Sequence, residues 1–147
     1  MKTFIVYTDG GSRGNPGEAA IAAVICNEKG EPLKKIGEHI GTATNNEAEY
    51  RAPIMALKKI KSLFGKENTK ATQVEFRMDS ELVVNQLEGR YKIENSNIQK
   101  LFLELWNLKT EFALVTFTAI PRERNKEADR LVNETLDARL NPRRMFS

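Results

Sequence analysis

Hydrophobic and polar residues repeat along the chain with two different periods, and the changes of period separate strands from helices. Runs rich in β-branched and aromatic residues predict five strands, at Lys2–Tyr7, Ala19–Cys26, Leu33–Ile40, Val74–Met78 and Ala113–Ile120. Helical spacing or capping signals predict four helices, at Thr44–Phe64, at Ser80–Leu87, at Ser96–Glu111 and after Asn125, which is the expected N-cap of the last one. The order of the elements is therefore βββαβααβα.

Turn signals between the strands indicate how the strands pair. Thr8-Asp9-Gly10-Gly11 predicts a turn after the first strand, and Asn27-Glu28-Lys29-Gly30 predicts a hairpin between the second and third. Three early strands joined in this way favour an antiparallel meander, whereas strands separated by helices favour parallel pairing beside the first. We therefore predict an α/β fold, with a mixed five-stranded sheet of three antiparallel strands plus two parallel ones and with helices packed on it.

Composition restricts the class of protein but does not select a function. The 147 residues are 40% hydrophobic and 29% charged, which predicts one soluble domain over 1–140 and a flexible tail over 141–147. No apolar run approaches the roughly 20 residues of a membrane span, and the first residues lack a signal-peptide core. We expect a cytoplasmic monomer with no membrane partner. The formal charge of +3 permits a polyanionic partner without requiring one, and the single cysteine excludes an internal disulfide.

Four carboxylates occupy positions from which they can meet. Asp9 and Asp79 end the first and fourth predicted strands, and parallel pairing would place them at one edge of the sheet. Glu49 near the start of the first helix and Asp129 near the start of the last could reach the same place. Hard cations such as Mg²⁺ neutralise a carboxylate cluster, and a pair of them can catalyse phosphodiester hydrolysis. Taken singly, each acid also fits a helix cap or a solvated surface position.

The sequence contexts of the acids carry a resemblance to a known family. These contexts are TDGGSRGNPG (Thr8–Gly17), TNNEAE (Thr44–Glu49), MDSELVVNQL (Met78–Leu87) and RERNKEADRL (Arg122–Leu131). Together, and in this order, they resemble the motifs of the type 1 ribonuclease H family. The resemblance extends over about residues 3–138.

The resemblance implies a metal-dependent endonuclease that cuts the RNA strand of an RNA/DNA hybrid and leaves 5′-phosphate and 3′-hydroxyl ends. It implies Asp9, Glu49, Asp79 and Asp129 as the catalytic, metal-binding acids. Asp9 would bridge two Mg²⁺ ions when substrate is bound, with Mn²⁺ as an alternative metal. Asp129 would help to hold the ion that activates water, and Glu49 and Asp79 would hold the ion at the leaving oxygen.

The same motifs imply contacts with the hybrid, whose 2′-hydroxyls are displayed in a wide and shallow minor groove. The expected groove-contacting residues are Gly10, Gly11, Ser12, Asn15 and Asn46, and Thr44 is expected near a phosphate of the DNA strand. An alternative remains for two of these segments. A plain turn also explains Asn15–Gly17, and a helix cap also explains Thr44 and Asn45.

The chain departs from the family pattern at three places. The only histidine, His39, lies in a predicted strand far from the loop where many members carry one, and Arg122 in that loop is a candidate phosphate contact or an ordinary surface arginine. Only Glu88–Asn95 stands where some members have a basic protrusion. Pro53 removes the helical hydrogen bond to the carbonyl of Glu49, which predicts lower activity, altered metal preference or a later helix start.

Three rival functions are open to this sequence. A non-catalytic module that binds hybrid or double-stranded RNA would have the same fold, but binding alone does not require four acids. A DNA strand-transfer nuclease would carry an additional DNA-binding domain. A small-molecule enzyme would show a phosphate-binding loop, a histidine cluster or a nucleophilic Ser or Cys arrangement, and none is recognisable here.

Overall fold

The computed structural model describes residues 2–140, which form an α/β fold. Its strands are β1 (Lys2–Gly14), β2 (Gly17–Cys26), β3 (Pro32–Ala43), β4 (Thr72–Met78) and β5 (Leu114–Ala119). Its helices are α1 (Asn45–Phe64), α2 (Lys66–Thr69), α3 (Glu81–Leu87), α4 (Ser96–Lys109) and α5 (Lys126–Leu140), with a 3₁₀ turn at Arg122–Arg124. The short α2 was not predicted. The predicted flexible tail, 141–147, lies outside the described residues.

The five strands form one mixed sheet in the order β3-β2-β1-β4-β5. β2 pairs antiparallel with both β1 and β3, whereas β4 pairs parallel with both β1 and β5. This arrangement confirms the predicted fold class. The central strand β1 therefore has an antiparallel neighbour on one side and a parallel neighbour on the other.

The predicted turn at Thr8–Gly11 is wrong, because β1 continues to Gly14. Antiparallel pairing with β2 extends from Ile5 opposite Cys26 to Gly14 opposite Gly17, and the connection between the strands is Asn15-Pro16, whose peptide bond is cis. The Asp-Gly-Gly sequence suggests a turn locally, but the ladder with β2 overrides that preference. Asp9 therefore lies inside a strand rather than at its end.

The sheet is covered on both faces. On one face, Phe4, Val6 and Phe76 pack against Tyr50 and Leu57 of α1 in the main core. On the other face, α5 covers the small residues of β2, where Ala20 and Ala22 contact Val132 and Leu136. Within residues 2–140, no helix combines the length and apolar character that crossing a bilayer demands. The site residues on β1 thus lie between helices on opposite sides of the sheet.

Helix α1 begins at Asn45, and Thr44 is its N-cap. The Thr44 hydroxyl accepts from the amide of Glu47 at 3.1 Å, and the Glu47 carboxylate accepts from the amide of Thr44 at 2.8 Å. This capping box fixes the first turn. The helix continues without interruption past Pro53, which is buried. The alternative of a later helix start is therefore wrong.

A glycine in β1 allows α1 to approach the sheet. A Cβ atom on Gly10 would lie 2.4 Å from the carbonyl carbon of Ala48 and 2.7 Å from the amide nitrogen of Glu49. Both atoms belong to the backbone of α1 and cannot rotate away. A Cβ on the adjacent Gly11 would lie 3.7 Å from Val132, which is ordinary contact. The absence of a side chain at Gly10 therefore sets the distance between β1 and α1.

We expect Gly10→Ala to lower the free energy of unfolding by about 3 kcal/mol, because the added methyl group must displace the α1 backbone. Gly11→Ala is the matched control, and it should change stability by less than about 1 kcal/mol because its methyl group has room. Chemical denaturation of both variants measures the difference. Equal stability of the two would contradict the packing role of Gly10.

Candidate active site

Parallel pairing of β1 with β4 aligns two of the predicted acids. The last parallel pair places Tyr7 opposite Arg77, and Asp9 and Asp79 each follow two residues later. β4 ends at Met78, so Asp79 stands at its carboxyl end, beside the middle of β1. Both side chains are partly buried. The predicted neighbourhood of these two acids is therefore confirmed, although Asp9 is not at a strand end.

Helices bring the other two acids to the same edge. Glu49 lies in the second turn of α1, next to the close contact with Gly10, and one of its carboxylate oxygens, Oε2, is buried without a hydrogen-bond partner. Asp129 lies in the first turn of α5, and its side chain is exposed. Glu49 and Asp129 therefore approach from opposite faces of the sheet, because α1 and α5 cover different faces.

The electrostatics of Asp9 show that the four acids share one site. Burial, as the largest cause, and the charges of Asp79, Asp129 and Glu49 together raise the pKa of Asp9 from 3.8 to about 8. Only the hydrogen bond from the Gly10 amide opposes this shift. The structure thus brings together all four predicted acids around Asp9.

Glu49 also has a raised pKa, and burial is the main cause. The Ser80 hydroxyl lowers the pKa, the Asp79 charge raises it, and the positive charge of Arg122 lowers it. Ser80 is in addition the N-cap of α3, where its hydroxyl accepts from the amide of Val83 at 3.2 Å. Arg122 is exposed and lies on the 3₁₀ turn that follows β5, near enough to Glu49 for its charge to act on that acid.

The donor set fits a hard divalent cation. It consists of carboxylate oxygens, which Mg²⁺ prefers, and the unpartnered Glu49 Oε2 is a ready ligand atom. Within residues 2–140, however, no three acidic, histidine or cysteine side chains are gathered closely enough to hold one ion as they stand. Rotation of exposed side chains such as Asp129 would be needed to complete a coordination sphere around one ion. The assignment of the four acids as metal ligands stays a prediction.

A buried asparagine connects the segments that carry the acids. The Asn125 side chain donates from Nδ2 to the Thr8 carbonyl oxygen at 2.9 Å and to Asp79 Oδ2 at 3.1 Å. No hydrogen bond joins its Oδ1 to the amides of α5. Asn125 stands at the N-cap position of α5, as predicted, and its backbone carbonyl oxygen accepts from the amide of Asp129, but its side chain makes no capping hydrogen bond.

Two of the residues predicted to contact the hybrid, Ser12 and Asn15, are linked through Asn45 into a polar group between β1 and the start of α1. Asn45 Oδ1 accepts from the amide of Ser12 at 2.8 Å and from its hydroxyl at 3.2 Å. The Asn45 amide donates to Asn15 Oδ1 at 3.1 Å. Thr44 uses its hydroxyl in the helix cap, which supports the alternative given for that residue. Asn46 is half-buried in the first turn of α1, and Gly11 lies near Asn45.

Sequence reasoning missed three residues of this region. Asn45 was considered only as a cap residue, although it joins β1 to α1. Ser80 and Asn125 stand inside the quoted motifs, next to or four residues before a predicted acid. The sequence signal available for Ser80 and Asn125 was their closeness to an acid within a motif. The contact of Ser80 with Glu49 and that of Asn125 with Thr8 depend on tertiary structure.

Comparison with known proteins identifies the family. The protein-family model described as reverse transcriptase-like matches residues 7–135. LC11-RNase H1, isolated from compost by a metagenomic approach, is 45% identical in sequence to this chain, and its structure superposes with a TM-score of 0.89. The match covers 96% of this chain and 100% of the LC11-RNase H1 chain. This chain belongs to the type 1 ribonuclease H family. A second crystal structure shows LC11-RNase H1 in complex with an RNA/DNA hybrid.

Curated relatives agree with this family. The Ribonuclease HI of Halobacterium salinarum is 40% identical over 131 residues, which are 89% of this chain and 63% of that protein. The bifunctional protein Rv2228c of Mycobacterium tuberculosis is 39% identical over 135 residues, which are 91% of this chain. The chain spans only 35% of the length of that relative.

The departures predicted from the family pattern are visible in the fold. Between α3 and α4, residues 88–95 form no helix, so no basic protrusion is present in the described chain. His39 lies in β3, where it pairs with Glu18, and not in the loop before α5. Arg122 lies on the 3₁₀ turn before α5, and its positive charge lowers the pKa of Glu49.

The raised pKa of Asp9 predicts how stability depends on pH without metal. The folded protein binds a proton at Asp9 between pH 3.8 and about 8, where the unfolded chain does not. Stability is therefore retained at low pH and decreases as the pH rises towards 8. We expect Asp9→Asn to raise the free energy of unfolding at pH 8 by about 2 kcal/mol or more. Thermal unfolding in EDTA measures this difference.

The low-pH end of the same titration provides the control for this prediction. Near pH 4 the difference between Asp9→Asn and the wild-type protein should disappear, because the native carboxyl is then protonated. Glu81→Gln, which alters an exposed acid in the first turn of α3, should change stability by less than about 0.5 kcal/mol at either pH. A constant difference for Asp9→Asn across the whole range would contradict the assigned cause.

Proposed function

We propose that this protein is a ribonuclease H, an endonuclease that hydrolyses the RNA strand of an RNA/DNA hybrid and leaves 5′-phosphate and 3′-hydroxyl ends. The observation that carries the proposal is the meeting of four acids around Asp9, whose pKa is raised to about 8 by burial and by the other three. Such a cluster is unfavourable without a bound cation. Relatives and structural neighbours bear the names Ribonuclease HI and RNase H1.

The chemistry requires metal, and the donor set of the site suits Mg²⁺, with Mn²⁺ as an alternative. Two ions bound together with substrate would supply an activated water and neutralise charge at the leaving oxygen. Asp9 is central and would contact both ions. Asp129, exposed at the start of α5, would serve the ion on the water side, and Glu49 and Asp79 would serve the ion on the leaving side.

Substrate recognition would use the polar group that joins β1 to α1. Ser12, Asn15 and Asn45 are linked by hydrogen bonds, so their remaining donors and acceptors are held in fixed positions. The 2′-hydroxyls that distinguish RNA from DNA are both donors and acceptors, and amide side chains can bind either function. The hybrid complex of LC11-RNase H1, a protein 45% identical to this one, supports hybrid as the ligand.

Arg122 would partly replace the loop histidine that many other members of the family carry. Its guanidinium lies close enough to Glu49 to lower the pKa of that acid, and the residue is exposed. An arginine cannot accept a proton at neutral pH, so its role is limited to binding phosphate and orienting it. General-base activation of water through this residue is excluded.

The non-catalytic binding module is the less favourable alternative. Contacts with a hybrid need donors, acceptors and positive charge, and negative charge near the phosphates opposes binding. Four acids beside the proposed hybrid surface would weaken such a module. Metal-dependent catalysis gives these residues a function, whereas pure binding does not.

We expect the full chain to cut the RNA strand of an end-labelled RNA/DNA hybrid in Mg²⁺ or Mn²⁺ and to be inactive in EDTA. Asp9→Asn should lower kcat by about 1,000-fold or more, because one carboxylate that would contact both ions is lost. Denaturing gel electrophoresis of the labelled strand measures the rate and the cleavage positions. Enzymatic probing of the product ends identifies the 5′-phosphate.

Two controls separate catalysis from binding. Glu81→Gln removes an exposed acid outside the cluster and should leave the rate within about two-fold of wild type. Filter binding of the hybrid in EDTA should give similar affinities for wild type and Asp9→Asn. Binding of hybrid without cleavage in every metal would reject the ribonuclease assignment and select the binding module.

Pro53 provides a separate prediction about rate. An alanine at this position supplies an amide that can donate to the carbonyl oxygen of Glu49, in a helix that already passes through residue 53 without interruption. We expect Pro53→Ala to raise kcat or to alter the preference between Mg²⁺ and Mn²⁺, measured with the same labelled hybrid. An unchanged rate and metal profile would show that the proline does not disturb Glu49.

A further inference from the structure

Asn125 is the only buried asparagine among the described residues, and it contacts three segments that carry site acids. We propose that Asn125 is a positioning residue, which fixes the Asp79 carboxylate relative to β1 and α5 and so sets the geometry in which the acids receive metal. This inference rests on the proposed function, since it gives Asn125 a role in the same site.

The first two contacts come from the side-chain nitrogen. Asn125 Nδ2 donates to the carbonyl oxygen of Thr8 at 2.9 Å, and Thr8 immediately precedes Asp9 in β1. The same nitrogen donates to Asp79 Oδ2 at 3.1 Å. An amide nitrogen has two hydrogens, so both bonds form at once. The side chain thereby connects the backbone beside one acid with the carboxylate of another.

The chemistry of the neighbours determines the orientation of the amide. A backbone carbonyl and a carboxylate are both acceptors, so the nitrogen and not the oxygen must face them. Asn125 Oδ1 then lies buried without a partner, and so does the hydroxyl oxygen of Thr8. A residue retained only to cap α5 would direct its oxygen to the helix amides. The observed orientation leaves that oxygen unsatisfied and uses the nitrogen at the acid site.

The third contact comes from the backbone. The Asn125 carbonyl oxygen accepts from the amide of Asp129 at 3.1 Å, which fixes the first turn of α5. The Asn125 amide donates to the Arg122 carbonyl oxygen at 3.0 Å, which closes the preceding 3₁₀ turn. One residue therefore connects the supports of Asp9, Asp79 and Asp129. Residues that hold metal-binding carboxylates in this way commonly affect metal affinity as well as rate.

The chain offers a matched control on the same helix. Asn133 also donates from Nδ2, to the carbonyl oxygen of Asp129 at 3.1 Å, but it is exposed and has no hydrogen bond to a carboxylate. Asn125→Ala and Asn133→Ala therefore each remove one asparagine from the neighbourhood of Asp129. Only the first removes a hydrogen bond to a site carboxylate.

The variants are compared as full chains on the labelled hybrid. Asn125→Ala should lower kcat and raise the half-saturating Mg²⁺ concentration by about 10- to 100-fold, while KM for hybrid stays within about three-fold of wild type. Calorimetric titration with Mg²⁺ should show a matching loss of affinity, independent of turnover. Asn133→Ala should match wild type in all of these measurements. Thermal unfolding establishes that each variant is folded at the assay temperature.

A measurement on the wild-type protein covers the outcome in which Asn125→Ala fails to fold. In a ¹⁵N-labelled sample, addition of Mg²⁺ should shift the side-chain amide resonances of Asn125. The reason is that metal binding at Asp79 would change the charge of the carboxylate that accepts from this amide. The side-chain resonances of Asn133 should stay in place. Unshifted Asn125 resonances in a protein that binds Mg²⁺ would overturn the proposal.

The outcomes separate this inference from the function on which it rests. If wild-type protein neither binds Mg²⁺ nor cuts hybrid, the proposed function fails and the inference fails with it. If wild-type protein does both, and folded Asn125→Ala equals Asn133→Ala in kcat and in Mg²⁺ affinity, only the positioning role is rejected. A loss confined to thermal stability would likewise make Asn125 a structural residue alone.

Discussion

The burial of Asp9 near three other acids is the constraint on which the site depends. Burial and the three neighbouring acids raise the pKa of Asp9 to about 8, so a negative charge at this position is unfavourable in the folded protein without metal. The acids cannot relax by moving apart freely, because two lie on adjacent strands of one sheet. A bound divalent cation would reverse the sign of the interaction and turn the same arrangement into a stabilising one. Folding and metal binding are coupled in this account.

The rest of the fold supplies the supports that hold the acids in place. Parallel pairing of β1 and β4 places Asp79 beside Asp9. The lack of a side chain at Gly10 allows α1 to contact β1 closely enough to bring in Glu49. Asn125 joins β1, Asp79 and the start of α5 from the opposite face of the sheet. These contacts limit the freedom of the carboxylates to separate.

Much of this arrangement could be predicted from the sequence, for reasons that are local. Period-two runs and helical stripes predicted the five strands and the fold class, and both are confirmed. The four acids were found because each lies in a short motif near the boundary of a predicted element. Convergence of those acids also followed from topology, since parallel strands end at one edge of the sheet.

The remainder depends on contacts between distant parts of the chain. β1 extends past its glycines because β2 pairs with it as far as Gly14, and no local pattern reveals that ladder. Gly10 has its effect through the backbone of α1, which lies 38 residues away at Ala48. Asn125 is a helix cap by position, and only its contacts with Thr8 and Asp79 show that its side chain bonds elsewhere. These roles arise from packing, which a single sequence does not display.

The most direct test of the central claim is the position of a bound metal. Crystals of the wild-type protein soaked in Mn²⁺ would give an anomalous difference map in which the ion is located without reference to activity. We expect a peak within about 2.3 Å of an Asp9 carboxylate oxygen, with at least one other acid of the cluster as a ligand. Manganese bound only elsewhere on the protein, at concentrations that support cleavage of hybrid, would contradict it.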